Sequence, residues 1–391
     1  MVSKLTIVSE NSMRLGIDAS NIRAGGGVTH LVELLRAAKP QEHGFKAVIV
    51  WGGSATLNCL EDRPWLKKVY EPVLDQALPN RIYWQTVTLD RLIQKEGCDA
   101  LFVPGGSYPG GFKPFITFSQ NLLPFEWTEA RRYGVSWMLL KMLLLYKSQS
   151  RSFVRANGVI YLTQYARNAV MKRTKHFLGK SVVIPHGVDK RFFLSPRKQL
   201  DICNYSSKNP FRILYVSPVD VYKHQWHVAD AISRLHKAGY PIKLDLIGSA
   251  YAPALKKLNQ VTSCLDPEGQ FICHNGFSSH SEICCQYHNA DVFVFASTCE
   301  TFGMVITEAM AAGLPIACSN RGPMPEVLGD AGVYFDPEKP AAIAEAIRKL
   351  IEDPTLRSEK AEDAFERAKT YTWARCARET FDFIAKVAGE H

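Results

Sequence analysis

Disulfide and metal-finger patterns are missing from this 391-residue chain. Its 10 cysteines include no Cys-x-x-C pair, so neither a zinc ribbon nor a thioredoxin-type redox site is indicated. They are too sparse for a disulfide scaffold. Several lie in apolar runs, where a free thiol behaves as a small hydrophobe. A reduced, cytosolic compartment is therefore expected. Long hydrophobic runs are missing too. The longest, Val135 to Tyr146, is 12 residues and contains Lys141, too short to span a bilayer. The N-terminus has no signal-peptide apolar core. Low-complexity tracts and solenoid-type repeats are also lacking.

Acid is nearly missing from one stretch. Residues 131–200 hold 15 basic residues against a single acid, Asp189. Residues 1–130 are balanced at 13 and 13, and residues 201–391 hold 19 basic and 24 acidic. The formal net charge of +9 is thus a local excess of 14 offset elsewhere. Such a block suits a polyanionic partner, or a solvated surface rich in lysine.

What is present is ordinary globular composition, 46% hydrophobic and 22% charged, in a length that suggests two or three domains. Short β-rich runs alternate with helical patterns. In the first half, strands are expected near 14–19, 47–51, 100–104, 115–119, 159–162 and 182–185. Helices are expected near 28–38, 81–96, 136–156 and 165–176. The second half repeats this grammar, with strands near 213–217, 243–247, 271–273, 292–296, 315–319 and 333–335. Its helices are expected near 225–238, 253–259, 280–288 and 304–312. Three further helices, near 341–352, 356–370 and 373–388, close the chain. Alternating βα units argue for parallel sheets covered by helices. Runs such as Val292-Phe-Val-Phe-Ala296 are apolar on both faces, as buried parallel strands should be. The polar stretch Ser195–Pro210 is the best linker candidate.

The chemistry-bearing segment is Ser297-Thr-Cys-Glu300-Thr301-Phe302-Gly303-Met304-Val-Ile-Thr-Glu308-Ala-Met-Ala-Ala-Gly313. It follows a buried strand and opens a helix. The amides of Thr301–Met304 form a helix N-terminus, which suits a diphosphate. Glu308, one turn further in, could accept two hydrogen bonds from a ribose diol. Glu300 sits on the loop at the carboxyl end of the strand, where ligands of open α/β sheets bind. Two glutamates eight apart are common by themselves; the neighbouring residues carry the signal.

This stretch resembles the signature of retaining glycosyltransferases of family 4, which have the GT-B fold. The likeness continues through Ala311-Ala-Gly313-Leu-Pro315, Ser319-Asn-Arg-Gly322, Pro325-Glu-Val327, Gly329-Asp-Ala-Gly332 and Phe335-Asp-Pro337. Gly25-Gly26-Gly27, after the first strand, resembles the loop that closes near donor phosphates and acceptor. Pro185-His186-Gly187-Val188-Asp189 resembles the interdomain crossing. Ser217–Gln225 resembles the segment that supplies a cation to the diphosphate, here Lys223.

The resemblance implies two Rossmann-like α/β domains facing across a cleft. Residues 1–200 would bind acceptor and residues 201–372 the donor, and a C-terminal helix, 373–391, would return to the first domain. It implies donor contacts from Gly26, Gly27, Gly187, Lys223, Glu300, Thr301, Phe302, Gly303, Met304 and Glu308. No resident cofactor is implied, the nucleotide sugar being a co-substrate. No metal is implied either, and no Asp-x-Asp triad is seen.

Two departures stand out. Many members carry an Arg shortly before the Lys; here Ser217-Pro218-Val219 holds no cation. Many place a His after the strand that here ends at Ser119, where this chain has Gln120-Asn121-Leu-Leu-Pro-Phe-Glu126. Gln120 and Asn121 can orient a hydroxyl but cannot act as bases near neutral pH. Glu126 is a candidate for the acid–base role or for acceptor binding.

The expected reaction is sugar transfer, with retention, from a UDP- or GDP-sugar to a glycan or glycolipid in cell-surface polysaccharide or lipopolysaccharide synthesis. A GT-B epimerase or phosphorylase and a non-catalytic basic binding protein are the alternatives. Nucleic acid is not an expected partner, because residues 131–200 lack aromatic–basic alternation. The helix near 136–156 combines Trp137 and a run of leucines with Lys147, Arg151 and Arg155 at four-residue spacing. It reads either as a core helix or as an interfacial one. With Arg131, Arg132, Lys172, Arg173 and Lys175, the interfacial reading brings residues 131–198 to an anionic membrane. The protein would then be cytoplasmic and peripheral on the inner face of the plasma membrane.

Overall fold

The computed structural model describes residues 12–174, 177, 179–276 and 280–391, with only the backbone at 280 and 281. Lys175 and the expected helix end at His176 lie outside the described residues. The chain divides into two units. One comprises residues 12–125, 140–187 and 373–391, the other residues 126–139 and 188–372. The expected division placed all of 1–200 in the first domain. In the structure the change comes after Gly187, and residues 126–139, including Glu126, pack with the second unit.

The first unit holds β1 (Met13–Asp18), β2 (Phe45–Gly52), β3 (Leu66–Tyr70), β4 (Ala100–Val103), β5 (Phe115–Phe118), β6 (Gly158–Tyr161) and β7 (Lys180–Val183). They form one parallel sheet in the order β3-β2-β1-β4-β5-β6-β7. β4, β5 and β6 are buried at every position, which is why they read as continuous apolar runs. β3 escaped the sequence reading because it is a half-exposed edge strand carrying Lys67 and Lys68. The expected helix over 81–96 is two helices, Leu78–Val87 and Leu89–Lys95. The break falls on Thr86-Val87-Thr88, a β-branched run that favours helix least.

The Trp373–Ala388 helix belongs to this unit. Its buried residues Trp373, Cys376, Ala377, Thr380, Phe381, Ile384 and Val387 recur at three- and four-residue spacing. Phe381 meets Phe45 edge-on at 6.1 Å. Phe383 lies so close to Gly158 that a Cβ there would come within 2.8 Å of its ring. Trp373 closes over His186, with ring centroids 5.6 Å apart. His186 Nδ1 lies 3.0 Å from His30 Nδ1. Burial drives both imidazoles toward the neutral form, His30 to about 3 and His186 well below its ordinary value. A neutral pair can share one proton between the two Nδ1 atoms.

The second unit holds β8 (Phe211–Val216), β9 (Ile242–Ile247), β10 (Ile272–Asn275), β11 (Val292–Phe295), β12 (Ile316–Ser319) and β13 (Gly332–Phe335). This sheet is parallel as well, in the order β10-β9-β8-β11-β12-β13. In each unit the strand order reverses once, between β1 and β4 and between β8 and β11. Ligands of open parallel sheets bind outside the carboxyl ends of the strands at such a reversal.

The stretch 195–210 is not a free linker. Arg357, fully buried, donates to the carbonyls of Leu350, Ile351 and Leu200 and to the Gln199 side chain. Arg197 pairs with Asp291 at 2.9 Å. The stretch is largely exposed, yet these bonds hold it to the rest of the second unit.

Candidate active site

The loops that leave β8 and β11 meet at the reversal point of the second sheet. Tyr215, buried in β8, ties them together. Its hydroxyl donates to the Lys223 carbonyl at 2.5 Å and accepts from the Ala296 amide at 3.3 Å. The β8 loop is closed by Gln225, whose amide donates to Ser217 Oγ and the Pro218 carbonyl, both at 2.9 Å. Ser217 thus serves to close its own loop.

Lys223 is the buried cation of the site. Its side chain is 7% exposed and its ammonium pairs with the Glu300 carboxylate, itself 16% exposed. The rings of Tyr222 and Phe295 each lie 5.1 Å from the ammonium. An aromatic face and one carboxylate therefore balance a charge that has little access to water. The two residues expected to act on the donor are already in contact.

His224, next in the chain, takes a left-handed backbone at φ 53, uncommon outside glycine. It caps the Gln225–Lys237 helix, and its ring faces Thr298 at 3.2 Å. Burial lowers its pKa to about 3, and the nearby Arg132, His227 and Lys257 push the same way. The Thr298 hydroxyl also donates to Glu129, and the Thr298 backbone N–H donates to the Tyr222 carbonyl at 2.9 Å.

The Met304–Ala311 helix begins directly after Gly303, whose φ of 88 requires glycine. A Cβ there would also come within 2.9 Å of Met324 Cε. Phe302 is buried, and Thr301 and Met304 are partly exposed. Glu308, one helical turn in, is not a solvated surface residue. It accepts from the Tyr287 hydroxyl at 2.9 Å. Desolvation raises its pKa to about 7, against the lowering effects of Tyr287 and Arg191.

The remaining candidates divide between the units. Gly26 and Gly27 open the Gly26–Ala37 helix after β1, beside the reversal point of the first sheet. A Cβ on Gly27 would meet Gln120 Oε1 at 3.3 Å, so these two line one place. Asn121 accepts from the Leu123 amide at 3.2 Å and so shapes its own turn. Gly187 ends the first unit, its amide bonded to the Cys376 thiol. Glu126 is in the second unit, where burial holds the Cys299 thiol well above its ordinary pKa and the charges of Glu300 and then Glu126 push the same way. Glu126 and Glu300 therefore share surroundings, whereas Gln120 and Asn121 belong to the other unit.

Sequence reasoning missed Glu129, Arg132, Tyr133, Thr298 and Tyr287. Arg132 was expected to be a free membrane cation. It is bonded to Glu129 at 2.7 Å and to Glu338 at 2.9 Å. Arg155 likewise donates to the Gly110 carbonyl at 2.7 Å. The i, i+3 spacing of Glu129 and Arg132 is the one signal that could have flagged the first pair.

Residues 202–370 match the family model for glycosyl transferases group 1. O-antigen chain mannosyltransferase B of Escherichia coli is 34% identical over 112 residues, 29% of this chain and 29% of that protein. A GDP-mannose-dependent alpha-(1-6)-phosphatidylinositol dimannoside mannosyltransferase of Mycobacterium tuberculosis (strain ATCC 25177 / H37Ra) is 29% identical over 201 residues, half of each chain. The matches thus span 29% and 50% of the length of these two curated relatives. Sucrose-phosphate synthase from Thermosynechococcus elongatus shares the fold over 97% of this chain and 100% of its own, with a TM-score of 0.75 at 17% identity.

Proposed function

We propose that the chain is a retaining, metal-independent glycosyltransferase of the group 1 kind, moving a sugar from a UDP- or GDP-sugar to a glycan or glycolipid acceptor. The observation that carries this reading is the pairing of Lys223 with Glu300 at the reversal point of the second sheet, beside the start of the Met304–Ala311 helix. One buried cation, one carboxylate and one helix N-terminus are a suitable set for a sugar diphosphate.

In this reading the diphosphate sits on the amides of Gly303 and Met304 with Lys223 beside it. Glu300, released from Lys223, takes hydroxyls of the sugar. Glu308 accepts from the ribose diol. The bond between the anomeric carbon and the β-phosphate oxygen breaks while the acceptor oxygen attacks from the same side. The acceptor's proton passes to the departing phosphate oxygen, so no protein base is required. Lys223 and the helix end stabilise the charge that grows on that phosphate. Binding both partners supplies the rest through orientation. Glu126 is available to the acceptor hydroxyl. No resident cofactor enters the scheme.

The acceptor is further proposed to be carried on, or next to, an anionic membrane. The Trp137–Arg155 helix supports this. Trp137 is 73% exposed, and Leu140, Leu143 and Leu144 are 44%, 42% and 55% exposed, while Lys141, Lys147 and Arg151 are exposed among them. Apolar side chains left in water beside cations suit the headgroup region of a bilayer. No helix among the described residues is long and apolar enough to cross a membrane. A place in cell-surface polysaccharide or lipopolysaccharide synthesis fits such an acceptor.

Thermal melting with UDP-, GDP- and ADP-sugars tests the reading. Stabilisation by one of them, together with acceptor-dependent release of the nucleoside diphosphate, is expected. If no nucleotide sugar raises the melting temperature, the reading is wrong.

A further inference from the structure

A cavity of about 350 Å³ opens on the second unit, with neither Lys223 nor Glu300 in its lining. Its walls are Arg132 and Tyr133 from the 126–139 segment, Trp226 from the first turn after β8, and Tyr251, Pro253 and Lys257 from the start of the Ala252–Leu265 helix. Three aromatic rings and two cations thus surround one hollow.

Most of these walls are fixed. The Tyr133 hydroxyl donates to Asp220 at 2.9 Å, and its ring meets Tyr251 edge-on at 5.5 Å. Arg132 is held by Glu129 and Glu338, as described. Lys257 differs. Its ammonium stands 3.9 Å over the Trp226 ring, and among the described residues no carboxylate pairs with it. Burial and the nearby Arg132 both disfavour its charge. The Trp226 indole N–H is buried without a hydrogen-bond partner. The cavity thus offers an unneutralised cation and aromatic walls.

We propose that this cavity binds an anionic sugar residue, a hexose carrying a phosphate or carboxylate. The C–H face of the pyranose lies on the aromatic walls, and the anion meets Lys257. The volume suits one such residue and falls at the small end of ligand pockets, about 300–1,000 Å³. That the bound residue is part of the acceptor rests on the glycosyltransferase reading; the anionic-sugar site does not.

The test is titration of the full chain with glucose 6-phosphate, glucuronate, glucose, inorganic phosphate and UMP. Calorimetry gives affinity, and saturation-transfer NMR reports which ligand protons touch the protein. Glucose 6-phosphate or glucuronate should bind with saturation reaching the pyranose protons. Lys257→Gln, at an exposed position, should weaken it about tenfold, one decade in Kd. Tyr251→Ala should reduce the transfer to the ring. No saturable binding at about 10 mM, ten times a Kd of 1 mM, overturns the proposal. Equal affinity for inorganic phosphate, tighter binding of UMP at this cavity, or indifference to Lys257→Gln overturns it too. If glucose 6-phosphate binds but no nucleotide sugar does, the transferase reading fails and the site stands. The opposite result sinks the site alone.

Discussion

Thr298 and Glu129 lie 169 residues apart in sequence and share a hydrogen bond. Through it, a short segment far upstream holds the loop that carries Glu300. His224 and the Tyr222 carbonyl contact the same threonine hydroxyl, each at 3.2 Å. The loops after β8 and β11 are therefore fastened to each other and to residues 126–139 before any ligand arrives.

The Lys223–Glu300 pair is nearly buried, so each partner alone becomes an uncompensated charge. Glu300→Ala and Lys223→Ala should each lower stability by about 3 kcal/mol, the cost typical of breaking a buried pair. The joint change Lys223→Met with Glu300→Gln should restore much of the loss without restoring sugar transfer. Denaturant melts alongside transfer rates check this. A double variant as unstable as the singles would show that the pair does not hold this loop.

Glu308 gives a pH dependence. Its pKa in the folded chain is about 7, above the ordinary 4.5, so the folded state binds the proton more tightly than the unfolded one. Its contribution to stability is full below 4.5 and declines as pH climbs to about 7. A ribose diol can donate to both oxygens of the carboxylate, whereas the acid keeps only part of that acceptor capacity. Nucleotide-sugar affinity should therefore rise as pH passes upward through about 7. In Glu308→Gln this rise should vanish, and the loss of affinity should be small at pH 6 and grow above about 7, as measured by calorimetry from pH 6 to 8.5.

Gly303→Ala places a Cβ 2.9 Å from Met324 Cε on a backbone at φ 88. The left-handed conformation alone costs an L-residue about 1–2 kcal/mol. A lower melting temperature and weaker nucleotide-sugar binding should appear together. Gly25→Ala meets no neighbour, but φ 66 with ψ -152 is a backbone region essentially reserved for glycine, so it too should lower the melting temperature.

Vesicle binding separates the cations. Lys147→Glu with Arg151→Glu should weaken sedimentation with anionic vesicles, at about 1 kcal/mol for each cation removed. Trp137→Ser should weaken it further. Arg155→Gln should matter little, because that guanidinium is turned to the Gly110 carbonyl. Equal sedimentation of all variants would rule out this helix as the contact.

The strands were legible because VFVF and FITF are apolar on both faces, a pattern only buried parallel strands require. Glu300, Gly303 and Glu308 were legible because they follow one another along a single strand–loop–helix. The rest depended on contacts between distant segments. Nothing near Glu129 announces Thr298, and nothing near Glu308 announces Tyr287. The lysine-rich edge strand β3 looked like loop, and the polar stretch 195–210 looked like a linker until Arg357 was seen to hold it. Arg132 and Arg155 counted as surface charge because composition records a cation but not its partner.

The chain passes from one unit to the other after Phe125, Leu139, Gly187 and Thr372. Neither unit is therefore a continuous piece of polypeptide, and neither can be completed by synthesis from the N-terminus alone. Residues 126–139 emerge long before Asp220, Thr298 and Glu338, the groups that Tyr133, Glu129 and Arg132 bind. The sheet of the first unit likewise waits for Trp373–Ala388, a helix made after the whole of the second unit. The nascent chain thus carries two unmatched surfaces until those later residues appear. A cut after residue 200 would make that condition permanent, leaving an apolar sheet face uncovered in one fragment and a segment without partners beside it.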